Sequence, residues 1–366
     1  MERNSKKLSR ANKIAPPSAA TREKTEYTIA AYRAVKCVPL LLVFVSGCSG
    51  NQSSLNAAGD QANSISHLWW IFCAVMSVIY TLVVLFAVIA VSRRTGEPDT
   101  PILSPNPKGE RRLTIALGGF VGVTAAILLY FMVSDFAAGR DMRTLSDPNP
   151  LRILIKGHQW WWEVQYENDV SSNIVVTANE IHLPEGKAVQ FDLQASDVIH
   201  SFWSPNFDGK KDLVPGHPTS LWFRPTRTGT FYGQCAEFCG LQHAHMRFTV
   251  VVEKPDAFQK WLTAQSQIAP SPATDLQKHG QQVFLHGTCI MCHTIAGTPA
   301  RGTLGPDLTH LAGRQMIGAG TIPNTRGHLG GWILDAPRIK PGVRMPQNVL
   351  SPADFQALLA YLETLK

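Results

Sequence analysis

The run Y-G-Q-C-A-E-F-C-G-L-Q-H-A-H-M, from Tyr232 to Met246, decides how the rest of this 366-residue chain is read. Cys235 and Cys239 stand four apart, His243 follows four later, and Met246 closes the run. Paired thiolates, an imidazole and a thioether form a soft donor set, which selects copper over hard cations. A four-ligand zinc site usually takes a second close pair of Cys or His and has little place for a thioether. A structural disulfide between the two cysteines would explain neither the histidine nor the methionine.

The flanks of this run read as strands. Leu151–Tyr166 (L-R-I-L-I-K-G-H-Q-W-W-W-E-V-Q-Y) is rich in β-branched and aromatic residues, and Ala188–Ala195 alternates apolar with polar. Turns are marked by Pro184-Glu185-Gly186, Asp208-Gly209, Pro215-Gly216 and Thr228-Gly229, and Arg247–Glu253 reads as a closing strand. Short strands with regular turns indicate an all-β sandwich or barrel over 139–254. Three successive tryptophans on a strand alternate faces, so Trp161 is expected to point away from Trp160 and Trp162. His245 falls at the wrong spacing to join His243 and Met246 and is expected to be exposed.

Downstream, an amphipathic piece and the run A-P-S-P-A-T place a linker at 255–272. Beyond it, Cys289-Ile290-Met291-Cys292-His293 carries the attachment pattern of a c-type haem, with two thioethers and His293 on the iron. A downstream methionine as sixth ligand would raise the haem potential. Met316 and Met345 are the candidates, and Met345, in R-M-P-Q-N ahead of a last helix, is preferred. Ser351 as N-cap and Pro352 at the first position open that helix. The haem module covers 273–366 and reads as all-α.

Upstream, Leu68–Val91 is apolar and free of charge. Its length gives roughly 36 Å of helix, enough for a hydrocarbon core of ~30 Å. Leu113–Val133 is a second such stretch, with Gly118, Gly119 and Gly122 available for close helix packing. Arg93, Arg94, Lys108, Arg111 and Arg112 lie between the two spans, which makes this connection cytoplasmic and both outer flanks external. Haem c is attached outside the cytoplasm, in agreement. A membrane domain is thus expected over 48–138.

Residues 1–47 form a basic leader with an apolar core, as in export signals. Val45-Ser46-Gly47-Cys48 resembles a bacterial lipobox, which would make Cys48 a lipidation site; an ordinary signal cut nearby is the alternative. The leader holds nine Lys/Arg and three Asp/Glu, leaving 25 basic (34 less 9) and 24 acidic residues (27 less 3). The leader thus holds six (9 less 3) of the seven net positive charges, and nucleic-acid binding loses its support. The seven cysteines are all placed without a disulfide.

Taken together, Cys235, Cys239, His243 and Met246, with His200 in D-V-I-H-S-F-W, resemble the ligands of subunit II of the haem–copper cytochrome c oxidases. The resemblance implies a Greek-key cupredoxin barrel and a dinuclear copper centre, CuA, of two coppers bridged by both cysteines. It implies that Glu237 ligates through its backbone carbonyl and reaches a magnesium ion with its side chain at the contact with the catalytic subunit. It implies that Trp160 is the point of electron entry and that Glu110 lies at the mouth of a proton path, for which a solvated loop charge is the alternative. With the fused haem module the chain resembles caa3-type oxidases. The implied partners are catalytic subunit I, subunit III, and an external cytochrome c or bc-type complex as donor, in a bacterial cell membrane. Rival readings are a CuA subunit serving nitrogen-oxide reduction, a quinol oxidase subunit, which would lack these copper ligands, and a membrane-tethered carrier or copper sensor.

Overall fold

The computed structural model describes residues 50–93, 107–143, 147–168, 170 and 174–366. The leader, Cys48 and Arg94 lie outside the described residues.

Helices α1 (Asp60–Ser92) and α2 (Pro107–Arg143) carry the two apolar stretches. Their most apolar windows reach mean hydropathies of 2.7 and 2.1, and among the described residues none of either window is buried. Val83, Phe86, Phe120 and Leu128 are all exposed. A continuous apolar surface of this extent is untenable in water, whereas helices satisfy their own backbone polar groups in lipid. Both helices outrun the apolar stretches, because polar flanks continue the same backbone ladder. Phe72 and Phe131 meet edge to face across the hairpin, ring centroids 5.8 Å apart. The glycines of α2 are not used for packing within the described chain: a Cβ at Gly118, Gly119 or Gly122 would meet nothing within 4 Å. Glu110 is exposed in the first turn of α2.

Residues 50–59, expected with the membrane domain, run along the β domain instead. The Asn206 amide donates to the carbonyls of Gly50, Ser53 and Asn56. Asp60, opening α1, accepts the Arg224 backbone N–H at 2.9 Å, so the hairpin leaves this domain from a fixed point.

The β domain is two packed sheets. One runs β3 (Val175–Ala178), β2 (Trp161–Tyr166), β1 (Leu151–His158), β5 (Val189–Ala195), β8 (Thr219–Phe223). The other runs β4 (Glu180–Pro184), β10 (Arg247–Glu253), β9 (Gly229–Cys235), β6 (His200–Trp203), β7 (Lys211–Leu213). The described residues thus form the cupredoxin-like all-β domain expected, as two five-stranded sheets packed face to face. The alternation of β1, β2 and β5 turns Ile153, Ile155, Trp162, Val164 and Phe191 inward. Phe202 stacks on Phe248 at 4.4 Å, and Phe248 lies flat on β9 because position 233 is glycine. Residues 255–265, read as the start of a linker, form α3 (Pro255–Gln265) on this domain. Phe258 enters its core and Trp261 stacks on His182 at 4.0 Å.

The C-terminal domain holds α4 (Asp275–His286), α5 (Arg326–Ile339) and α6 (Pro352–Leu362). A two-stranded ribbon, β11 (Met316–Ile317) with β12 (Ile322–Pro323), is added to the all-α pattern. Thr274 and Gln277 close a capping box on α4, and Ser351 caps α6 by accepting from Asp354 N. Helices α4 and α6 cross at Gly280, where a Cβ would fall 1.9 Å from the Ala357 carbonyl oxygen. Helix α5 breaks at Asp335, two residues before Pro337.

Candidate copper and haem centres

The copper candidates come from three places in the sandwich. Cys235 ends β9, His200 begins β6 beside it, and Cys239, His243 and Met246 lie on the loop from β9 to β10. The paired sheet edge supplies the stiff part and the loop brings the remaining donors over it. Cys235, Cys239, Met246 and His200 are buried; His243 is half-buried.

The two sulfurs lie 3.8 Å apart as free thiols, far beyond disulfide bonding distance. His200 Nδ1 is 3.9 Å from Cys235 Sγ, His243 Nδ1 is 3.7 Å from Cys239 Sγ, and Met246 Sδ is 3.9 Å from Cys239 Sγ. The Glu237 carbonyl oxygen lies 3.2 Å from Cys235 Sγ. Glu237 itself is half-buried, and Oε1 accepts from Phe238 N at 3.3 Å. Two thiols, two imidazoles, a thioether and a carbonyl thus face one small space. That soft set fits copper.

Asp197 orients the upstream histidine. Its Oδ1 is 2.9 Å from His200 Nε2, and Oδ2 accepts the Gln159 backbone N–H at 2.7 Å. With Nε2 held by a carboxylate, Nδ1 is the nitrogen left to face the sulfurs, as outer-shell carboxylates do for metal-binding imidazoles. Burial works against the Asp197 charge, yet the bonds from His200, Gln159 and Val198 bring its carboxyl down to about 2. Burial also opposes charge on His200, and its bonds to Asp197 and Cys235 overcome this and raise it. The Cys235 thiol is pulled far down, first by the bond from Cys239, while Cys239 is driven up by the same neighbour. Like charges this close do not both form unaided, so the pair suits a cation that stabilises two thiolates. Sequence reading missed Asp197, although Asp-x-x-His was visible as a carboxylate three residues before a candidate ligand.

Trp160 is not on a strand, as its neighbours suggested; it occupies the tight turn from β1 to β2. The facing pattern survives, with Trp160 and Trp162 buried and Trp161 half-buried against His158, ring centroids 4.3 Å apart. Trp160 Nε1 donates to the Cys239 carbonyl at 3.0 Å, a direct bond from the indole to a candidate ligand residue. Gly157, in β1, admits the His200 ring: a Cβ there would lie 2.8 Å from Cδ2. His245 is exposed.

The haem candidates cluster where α4 ends. Cys289 begins a short 3-10 turn, and Cys292 and His293 follow it. Both thiols are free and half-buried. His293 Nδ1 donates to the Pro306 carbonyl at 2.7 Å, which leaves Nε2 free to take a metal. Burial lowers the His293 pKa, keeping the imidazole neutral as a metal requires. Gly305 lets the chain cross the ring, since a Cβ would meet Cε1 at 2.6 Å. Leu304 and Val349, neighbours of the His293 cradle and the Met345 loop, are 76% and 95% exposed, apolar surface of the kind a macrocycle covers. These residues fit a covalent haem. Met345 is half-buried on the loop between α5 and α6, and Met316 is half-buried in β11.

A membrane hairpin carrying a cupredoxin-like sandwich with a soft-metal cluster, joined to a haem-binding helical domain, defines a membrane-bound electron-transfer protein. The comparisons narrow the class. Residues 169–254 match the family described as cytochrome C oxidase subunit II, periplasmic domain, and residues 277–366 match cytochrome c. Cytochrome c oxidase subunit 2 of Alkalihalophilus pseudofirmus is 33% identical over 337 residues, covering 89% of this chain and 95% of that one. Its counterpart in Bacillus subtilis is 29% identical over 349 residues, covering 90% and 95%. The solved periplasmic domain of subunit II of cytochrome oxidase from Bradyrhizobium japonicum is 31% identical, covering 31% of this chain and 92% of that one, with a TM-score of 0.30. The chain belongs to the cytochrome c oxidase subunit 2 family, in a form that carries its own cytochrome c domain.

Proposed function

We propose that this chain is the electron-entry subunit of a caa3-type terminal oxidase. Electrons pass from an external cytochrome c or bc-type complex to a haem c held by Cys289, Cys292, His293 and Met345. They continue to a dinuclear CuA centre held by His200, Cys235, the Glu237 carbonyl, Cys239, His243 and Met246. A catalytic subunit I, accompanied by subunit III, then reduces oxygen to water. The metals, when bound, supply one-electron redox chemistry. The chain's own part is to hold the donors still, so that little reorganisation accompanies each transfer.

The observation that carries this reading is the convergence of both sulfurs, both imidazoles and the thioether within 4 Å of a neighbour in one largely buried cluster. Trp160, bonded to the Cys239 carbonyl, is proposed as the entry point to copper. The Glu237 carboxylate is proposed to take a magnesium ion at the catalytic subunit. The hairpin is placed in the bacterial cell membrane with both metal domains outside and, where Cys48 is acylated, a lipid anchor beside it.

Copper content and electron spin resonance of the purified complex test this. Two coppers per chain sharing one electron over two nuclei are expected, together with a haem–copper subunit and oxygen consumption. A single copper with a localised signal would move the site to a mononuclear carrier. A partner that turns over nitrogen oxides instead of oxygen would reassign the complex.

A further inference from the structure

The feature that the sequence least suggests is Lys340, the residue that ends α5. Its side chain is only 1% exposed, yet it faces no carboxylate in its bonding shell. Instead, Nζ donates to three carbonyls: Trp160 at 2.9 Å, His245 at 2.8 Å and Gly318 at 2.9 Å. An ammonium has three protons, and all three are used. Two acceptors belong to the copper domain and the third to the haem domain. A cation from one domain therefore ends inside the other.

The acceptors are placed with the redox residues. Trp160 bonds the Cys239 carbonyl through its indole, and His245 sits between His243 and Met246. The loop after Lys340 leads to Met345 and lies on the same face. Gln242 Nε2 donates to the Pro341 carbonyl at 2.7 Å, and Arg344 Nη2 donates to Gln159 Oε1 at 3.2 Å. Gly342, at φ +88, lies so close that a Cβ would come within 3.5 Å of the Trp160 ring and 3.0 Å of Leu241. Trp160 is left 8% exposed.

Resting on the electron-transfer reading above, we propose that Lys340 is a positioning latch: it holds the Met345 loop in register over Trp160, setting the path from haem to copper and closing Trp160 to outside donors. A buried cation costs far more than a methionine of similar length, and burial pushes this ammonium down to about 7. A position needing only apolar filling would not carry it. Its bonds to Trp160 and His245 cross between the domains, and with those from Gln242, Arg344 and Arg247 N (to the Ala319 carbonyl at 3.1 Å) they specify one orientation of two domains joined by residues 266–274.

The test is K340M in the intact oxidase complex. It keeps the length of the side chain and orphans three carbonyls, and each hydrogen bond from a charged group is worth about tenfold or more in an equilibrium constant. Flash reduction of the haem, followed at copper, is expected to show transfer slowed at least about tenfold. The midpoint potentials and spectra of both centres should stay at wild-type values, so the slowing reports registration and not driving force. Hydroxyl-radical footprinting should show Trp160 newly labelled. Transfer within about twofold of wild type, with Trp160 still protected, overturns the latch. Should K340M lose its haem or copper spectrum, K340Q decides, since its shorter amide keeps N–H donors but cannot reach all three carbonyls; a wild-type rate and protection there overturns the proposal. If the wild-type complex itself passes no electron from haem to copper, the electron-transfer reading fails first, and footprinting still reports whether Lys340 holds the loop.

Discussion

Asp197→Asn isolates the residue that links the copper donors to their support. The carboxylate accepts three charge-assisted bonds, Oδ1 from His200 Nε2 at 2.9 Å and Val198 N at 2.8 Å, and Oδ2 from Gln159 N at 2.7 Å. An amide can keep its oxygen on one side of this arrangement, but its NH2 then faces an N–H on the other. At least one bond worth about 1.5–3 kcal/mol is lost, and those that remain fall to roughly half their strength. The Arg344 contact at 3.6 Å is mostly solvent-exposed on the arginine side and adds little. The His200 ring is then free to take the wrong tautomer, offering an N–H to the metal in place of a lone pair. Outer-shell changes of this kind reduce metal affinity by about 10–100-fold. Competition against a calibrated copper chelator should show that loss, with the haem spectrum unaltered. Affinity within about threefold of wild type and an unchanged copper spectrum would refute the role assigned to Asp197.

Met345→Ala should convert the haem to a high-spin form of lower potential while Met316→Ala leaves it low-spin; optical spectra showing the reverse would reassign the sixth ligand. Gly280→Ala drives a Cβ to 1.9 Å from the Ala357 carbonyl at a helix crossing, and α4 and α6 must separate. A loss of about 3 kcal/mol, or roughly 12 °C or more in Tm of the haem domain, is expected by calorimetry, and a fall under about 4 °C would contradict the close crossing. For Glu163, burial raises the pKa, but bonds and charge from His158 and Lys156, with Gln165, bring it to about 2 from the usual 4.5. A depressed carboxyl stabilises the fold above its unfolded pKa and loses that contribution as pH falls through the folded value. Glu163→Gln should therefore cost about 2 kcal/mol at pH 7, after allowance for solvent screening, with the gap closing between pH 4.5 and about 2. Denaturant unfolding that shows a constant gap down to acid pH would point to packing instead.

Most of what was legible in the amino-acid order is local. Cys-x3-Cys-x3-His-x2-Met and Cys-x-x-Cys-His place their candidate donors within a few residues, so their spacing is readable before any fold exists. The membrane spans, the strand alternation and the Ser351 cap are likewise carried by neighbours in the chain. The tertiary structure decided what is distant. It brought His200 to Cys235 across a sheet pairing and put Asp197 behind the imidazole. It set Trp160 in a turn where its indole meets Cys239, a contact that no periodicity encodes. It packed α3 onto the copper domain because Phe258 and Trp261 found an apolar face there. Lys340 makes the same point: 180 positions separate it from Trp160, and a lone lysine at the end of a helix reads as solvated. Only close packing, which leaves three carbonyls around one ammonium, brings it against Trp160 and His245.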